Sequence, residues 1–172
     1  AQSDINYGIN KNKNFKEVFK ESLKLGFKYF DTSPSYKNSQ KYLKEISQNK
    51  NYKIISKIKC EGEVDSNFIN KVIDEIENIF KSNNLSRLYG LLIHDPLLPL
   101  HSKKWKIVSK ILGKYKKNGL IKKIGISLYS TFELENIIDI FTPDIIQLPL
   151  NVFNQNFLES KTLLNLKKKK IE

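Results

Sequence analysis

Apolar residues along this chain of 172 residues fall into two alternating kinds of run. Short runs with strand character lie at Phe27–Asp31, Lys53–Lys57, Leu88–Ile93, Lys122–Ser127 and Asp144–Leu148. Between them apolar residues recur at helical spacing. Phe15, Val18, Phe19 and Leu23 predict a helix stopped at Gly26, and Phe68, Val72, Ile76, Ile79 and Phe80 a second, amphipathic one. Trp105, Val108, Ile111, Leu112 and Tyr115 predict a third, ending near Asn118-Gly119. Leu134, Ile137, Ile138 and Phe141 mark a fourth, closed by Pro143; a short helix at Tyr42–Ile46 and a final one at Phe157–Lys170 complete the set. The unbroken apolar run at Leu88–Ile93 is that of a strand buried on both faces. Strands separated by helices predict a parallel sheet. No linker or change of composition divides the chain, so 1–172 is expected to be a single domain.

Two architectures carry such a sheet: a doubly wound open sheet and a (β/α) barrel. No glycine-rich phosphate turn follows any of the strands, so the usual nucleotide loops of open sheets are missing. Each apolar run instead ends in a polar residue: Asp31, Lys57, His94, Ser127 and Gln147. Each has a structural explanation by itself. Asp31 can cap a turn, Lys57 can extend its ammonium to solvent, and His94 can be a hydrogen-bonded core residue. Together, a carboxylate, an amine, an imidazole, a hydroxyl and an amide at successive strand ends match the mouth of a barrel, where C-terminal strand ends converge.

Charge changes this picture little. The formal net charge is +12, which would ordinarily raise nucleic-acid binding. Nearly all of it is lysine, however, and Arg87 is the only arginine, whereas bidentate phosphate and base contacts favour arginine. A solvated lysine surface is therefore expected, with no nucleic-acid partner, although the surplus would steer anionic ligands toward the protein. The Lys167–Lys170 run reads as lysines complementing a helix C-terminus. One cysteine, Cys60, excludes an internal disulfide, and with two histidines a structural zinc site is not expected. The absence of a signal segment and of a membrane-length apolar run points to a cytoplasmic protein without membrane contact.

The residues match a family. Asp31-Thr-Ser-Pro-Ser-Tyr36, followed by Asn38-Ser39, resembles the D-T-A-x-x-Y-G-x-S-E segment of aldo-keto reductases. Ser56-Lys57 resembles their T/S-K strand end, and Leu92-Ile-His94-Asp-Pro96 their L-I-H-x-P segment. Gly119 to Ser127 is similar to G-K-I-R-x-I-G-V-S, and Pro143-Asp-Ile-Ile-Gln147, continued by Asn151, resembles P-D-x-x-Q. Ala1-Gln2 and Tyr7-Gly8-Ile9 resemble the opening of one subgroup. The resemblance implies a (β/α)8 barrel and reduction of a small-molecule carbonyl by NADPH, with NADH the less favoured cofactor. It implies Tyr36 as general acid, Lys57 beside it to stabilise the phenolate, Asp31 holding Lys57, and His94 orienting the carbonyl oxygen. Ser127 and Gln147 would contact the nicotinamide amide, which needs a donor and an acceptor. Leu128 stands where many members have asparagine, and Asn154-Gln-Asn156 where arginine is common. Tyr89 and Trp105 are expected to be packing aromatics, His101 a surface residue, and Cys60 a bystander near the mouth without a partner base.

A complete barrel needs about 250 residues. At 172 residues, without methionine, the chain is expected to be an internal fragment spanning roughly the second to sixth strands and lacking the last two βα units. By itself it is then not expected to be a competent reductase. Two alternatives stand beside this reading: a natural short variant completed by a partner chain, and a non-catalytic barrel serving as a regulatory or interaction module. The oligomeric state is left open.

Overall fold

The computed structural model describes residues 15–36, 52–159 and 161–172. The expected helix at Tyr42–Ile46, the Ala1-Gln2 and Tyr7-Gly8-Ile9 segments and Asn38-Ser39 lie outside the described residues. Five parallel strands form one sheet: β1 (Tyr29–Asp31), β2 (Lys53–Ile58), β3 (Leu88–Ile93), β4 (Ile121–Ser127) and β5 (Ile145–Gln147). Helices α1 (Phe15–Lys24), α2 (Phe68–Asn83), α3 (Ser102–Lys117), α4 (Thr131–Ile137), α5 (Asn156–Glu159) and α6 (Thr162–Lys168) surround it, with a 3₁₀ turn at Leu98–Leu100.

Spatial strand order follows chain order, β1-β2-β3-β4-β5. A doubly wound sheet reverses direction partway, so its helices cover both faces. Here every crossover runs the same way, and right-handed crossovers then put all helices on one face. The result is a curled half-barrel of five strands. The free edge of β5 is extended by Glu172, whose N–H donates to the Asp144 carbonyl and whose carbonyl accepts from Ile146 N–H.

Strand register sorts the side chains. Asp31 pairs with Ile55, Lys57 with Leu92, Leu92 with Gly125, and Ser127 with Gln147. Because side chains alternate, Asp31, Lys57, Ser127 and Gln147 share one face. The intervening Ile54, Ile58, Leu91, Ile93 and Ile126 take the other, where they pack with Val72, Ile76, Ile79, Val108 and Leu112 of α2 and α3. Gly125 is required where it stands: a Cβ there would lie 2.1 Å from the Ile145 carbonyl oxygen and 2.6 Å from Leu92.

Three elements differ from the expectation. Strand β1 starts at Tyr29, not Phe27, because Phe27 belongs to the cap of α1: Gly26, at φ 82°, donates to Leu23 O and Phe27 N–H to Ser22 O. Asn118-Gly119 ends α3 in the same manner, as expected. The final helix is two helices, α5 and α6. Phe157 and Leu166 are both buried, and nine residues is about two and a half helical turns, so one straight helix would point them in opposite directions. Helix α4 opens on a capping box, Ser130 with Glu133, and closes before Phe141, which packs on Trp105 at 4.7 Å between ring centroids. Trp105 is thus the packing aromatic the sequence predicts. Among the described residues, no helix is long and apolar enough to cross a membrane.

Candidate active site

The segment after β1 is a tight turn that carries Tyr36 back toward Lys57. Pro34 follows Ser33, the Tyr36 N–H donates to Ser33 O (3.0 Å), and Ser33 Oγ accepts the Ser35 N–H (3.3 Å). Thr32 and Ser33 are buried, and Thr32 N–H is tied to Ile55 O on β2. The turn is therefore anchored to the sheet ahead of Pro34, at Thr32.

Lys57 lies under this turn. Its side chain is 3% exposed, pairs with the Asp31 carboxylate and donates to the Thr32 carbonyl at 3.3 Å. Its Nζ is 5.2 Å from the centroid of the Tyr36 ring. A buried ammonium needs these partners, since an unpaired one would be far less stable there. Asp31, at 34% exposed, keeps one side open to water.

The effect on Tyr36 is the reverse of the expectation. Its hydroxyl pKa is pushed above the ordinary value of 10.0, first by burial, then by the Asp31 and Tyr129 charges. Asp31 thus opposes the pull of the ammonium toward phenolate, and Tyr36 holds its proton at neutral pH.

His94 follows β3 with its N–H on Ile58 O. Its pKa is lowered from the ordinary 6.5, first by burial, then by the ammoniums of Lys57 and Lys59. The ring is thus neutral at neutral pH. Its Nδ1 is buried and has no hydrogen-bond partner among the described residues. His94 lines a cleft of about 430 Å³ with Lys59, Cys60, Asp95, His101 and Tyr129. His101 is exposed on that rim. Cys60 is 3% exposed and its thiol is pushed up to about 12, chiefly by burial, so it is no nucleophile.

Ser127 and Gln147 stand side by side at the ends of β4 and β5. Ser127 is buried, and Gln147 Oε1 is buried with no partner. A buried amide oxygen lacking a donor fits a ligand amide N–H. Leu128 does not take part: it is 1% exposed and packs in the sheet–helix core. Asn154 lies in a turn in which Asn151 Oδ1 accepts the Phe153 and Asn154 N–H groups.

Tyr89 departs from expectation. It is half-buried, away from the helices, with its hydroxyl donating to Glu172 (2.6 Å) and its ring 5.3 Å from that of Tyr29. This cluster lies at the opposite, N-terminal end of the strands. The signal was present in the sequence as Tyr29, Lys53, Tyr89 and Lys123, one near the start of each of four strands.

Comparison with known proteins agrees with the geometry. The sequence profile described as the aldo/keto reductase family matches residues 2–171. No curated protein sequence matches the chain. Among solved structures, an aldo/keto reductase from Brucella melitensis superposes with a TM-score of 0.67 at 22% identity, over 90% of this chain and 59% of that one. The holo form of an aldo-keto reductase from Bacillus halodurans gives a TM-score of 0.71 at 12% identity, over 91% and 54%. A variant of Gox0644 in complex with NADPH gives 0.59 at 25% identity, over 78% and 48%. The chain thus spans roughly half to three-fifths of the length of these structural relatives.

Proposed function

Because the chain belongs to the aldo/keto reductase family, an NAD(P)H-dependent oxidoreductase family, we propose that its strand ends form the proton-delivering half of a carbonyl-reducing site. The observation that carries this reading is the buried Lys57 ammonium, paired to Asp31 and set 5.2 Å from the Tyr36 ring. That arrangement is a poor way to stabilise a fold, since a buried ion pair is usually matched or bettered by apolar residues of the same size.

A reduced nicotinamide, when bound, supplies the hydride that adds to the carbonyl carbon. The chain's own residues supply the rest. Ser127 and Gln147 hold the carboxamide, the orphaned Gln147 oxygen accepting its N–H. NADPH is the proposed cofactor, in keeping with the NADPH complex of Gox0644. His94 Nε2 donates toward the substrate oxygen as negative charge develops. Tyr36 gives its proton to that oxygen, completing the alcohol, and solvent reprotonates the phenolate. Its raised pKa keeps the proton in place until the oxygen has become the stronger base. Lys57 limits the charge penalty of the transient phenolate, and Asp31 keeps Lys57 in position.

A Tyr36→Phe variant of the intact protein tests this reading. Turnover of aldehydes with NADPH is expected to fall by about a hundred-fold or more, the usual worth of a positioned acid, with NADPH binding retained. Unchanged turnover would remove Tyr36 from the role of acid.

A further inference from the structure

A second cavity lies away from the mouth. It measures about 480 Å³ and lies at the N-terminal ends of β2, β3 and β4, beside the end of α2. Its lining includes Lys53, Arg87 and Lys122 and no carboxylate. Among the described residues, neither Arg87 nor Lys122 forms an ion pair. Glu172, which reaches the edge of the cavity through Tyr89, is itself held by Lys123. Lys53 donates to Tyr29 (2.7 Å), faces the Tyr89 ring at 4.7 Å and shares the field of Glu172 with Lys123.

Arg87 and Lys122 thus bring two cations without an ion pair to one concavity that has no carboxylate in its lining, a setting that favours an anion. The guanidinium adds geometry to charge. In a chain that otherwise uses lysine, the single arginine stands at this cavity, where its planar fork can bind two oxygens of one phosphate. Asn84 and Ser86 add polar groups, and Tyr52, Tyr89, Ile54, Leu85 and Leu88 give the cavity apolar and aromatic walls. They suit a ring or carbon skeleton, and the volume is that of a small-molecule site. We propose that this cavity binds a small organic phosphate at the end of the barrel opposite the candidate active site.

Phenyl phosphate is a suitable probe, with phenol as the uncharged control, measured by calorimetric titration of the intact protein. Binding of phenyl phosphate but not phenol is expected. Arg87→Gln with Lys122→Gln should weaken it at least ten-fold. Both side chains are exposed, so the substitutions leave the core untouched. Lys104→Gln, at the rim of the mouth, should leave it unchanged, and saturating NADPH should not displace it. These readouts do not depend on reductase activity, so they separate this site from the one at the mouth. Equal binding by the double variant, displacement by NADPH, or no binding at all would overturn the proposal. So would tight binding of duplex DNA lost in the double variant, which would make the anion a nucleic-acid backbone.

Discussion

The two ends of the half-barrel each carry a lysine and a tyrosine from β1, β2 and the adjoining turn, yet the pairs are chemically unlike. At the foot, Lys53 donates directly to the Tyr29 hydroxyl at 2.7 Å, both residues being partly open to water, and this lowers the Tyr29 pKa. At the mouth, Lys57 is 3% exposed and spends its charge on Asp31, and the Tyr36 pKa rises. Proximity of an ammonium to a phenol does not by itself make an acid of useful strength. The result depends on what else claims the ammonium and on how much water remains. The mouth holds its phenolic proton; the foot keeps net positive charge.

That contrast can be broken in several ways. The largest effect is expected from Tyr36→Phe set beside Tyr29→Phe in the intact protein. The first should reduce carbonyl turnover by about a hundred-fold or more, and the second by less than about two-fold. Steady-state kinetics with an aldehyde series would show it, and equal losses would mean that the two ends are not functionally distinct.

Next come the glycines of the strands. Gly125→Ala puts a methyl group 2.1 Å from the Ile145 carbonyl and should destabilise the fold by about 3 kcal/mol. At Gly90 the nearest atom is a side-chain carbon of Ile55 at 3.4 Å, so Gly90→Ala should cost well under about 1.5 kcal/mol. Urea unfolding midpoints measure both.

Lys57→Met strands a carboxylate that is two-thirds buried and should cost about 2 kcal/mol, below the range for fully buried pairs because Asp31 retains water. Lys53→Met at the foot should change stability by less than about 0.5 kcal/mol. If the two cost the same, burial is not what separates the ends.

The smallest effect is a pH dependence confined to the mouth. The folded His94 takes up a proton only below its ordinary value of 6.5, whereas the unfolded chain takes one near that value. Above pH 6.5 the residue is neutral in both states and costs nothing. As pH falls below it the unfolded state binds more protons, so stability declines until the folded pKa is passed. His94→Gln should flatten that part of the stability profile. An unchanged slope would place the imidazole in water.

Much of this molecule was legible beforehand, for reasons tied to particular residues. Gly26 and Gly119 announced helix ends because the left-handed caps they form suit a residue without a Cβ. The polar residues Asp31, Lys57, His94, Ser127 and Gln147 each stood out at the end of an apolar run, and the register sets Asp31, Lys57, Ser127 and Gln147 on one face. The helical spacing of Leu134 and Ile137 in α4 was equally visible. The break between α5 and α6 was not, since Phe157 and Leu166 both belong to a helical pattern and only the surface they must cover shows that one helix cannot serve both.

Strand identity, order along the chain and the residues brought to each strand end were determined by the sequence itself, because alternation and helical periodicity are local properties. The tertiary structure alone decided how those residues act on each other. It buried Tyr36 beside the Asp31 carboxylate and so raised its pKa, left Gln147 Oε1 without a donor among the described residues, and gathered Arg87, Lys53 and Lys122 around one cavity. Electrostatic coupling depends on distance and burial between residues far apart in the chain, which no local pattern encodes.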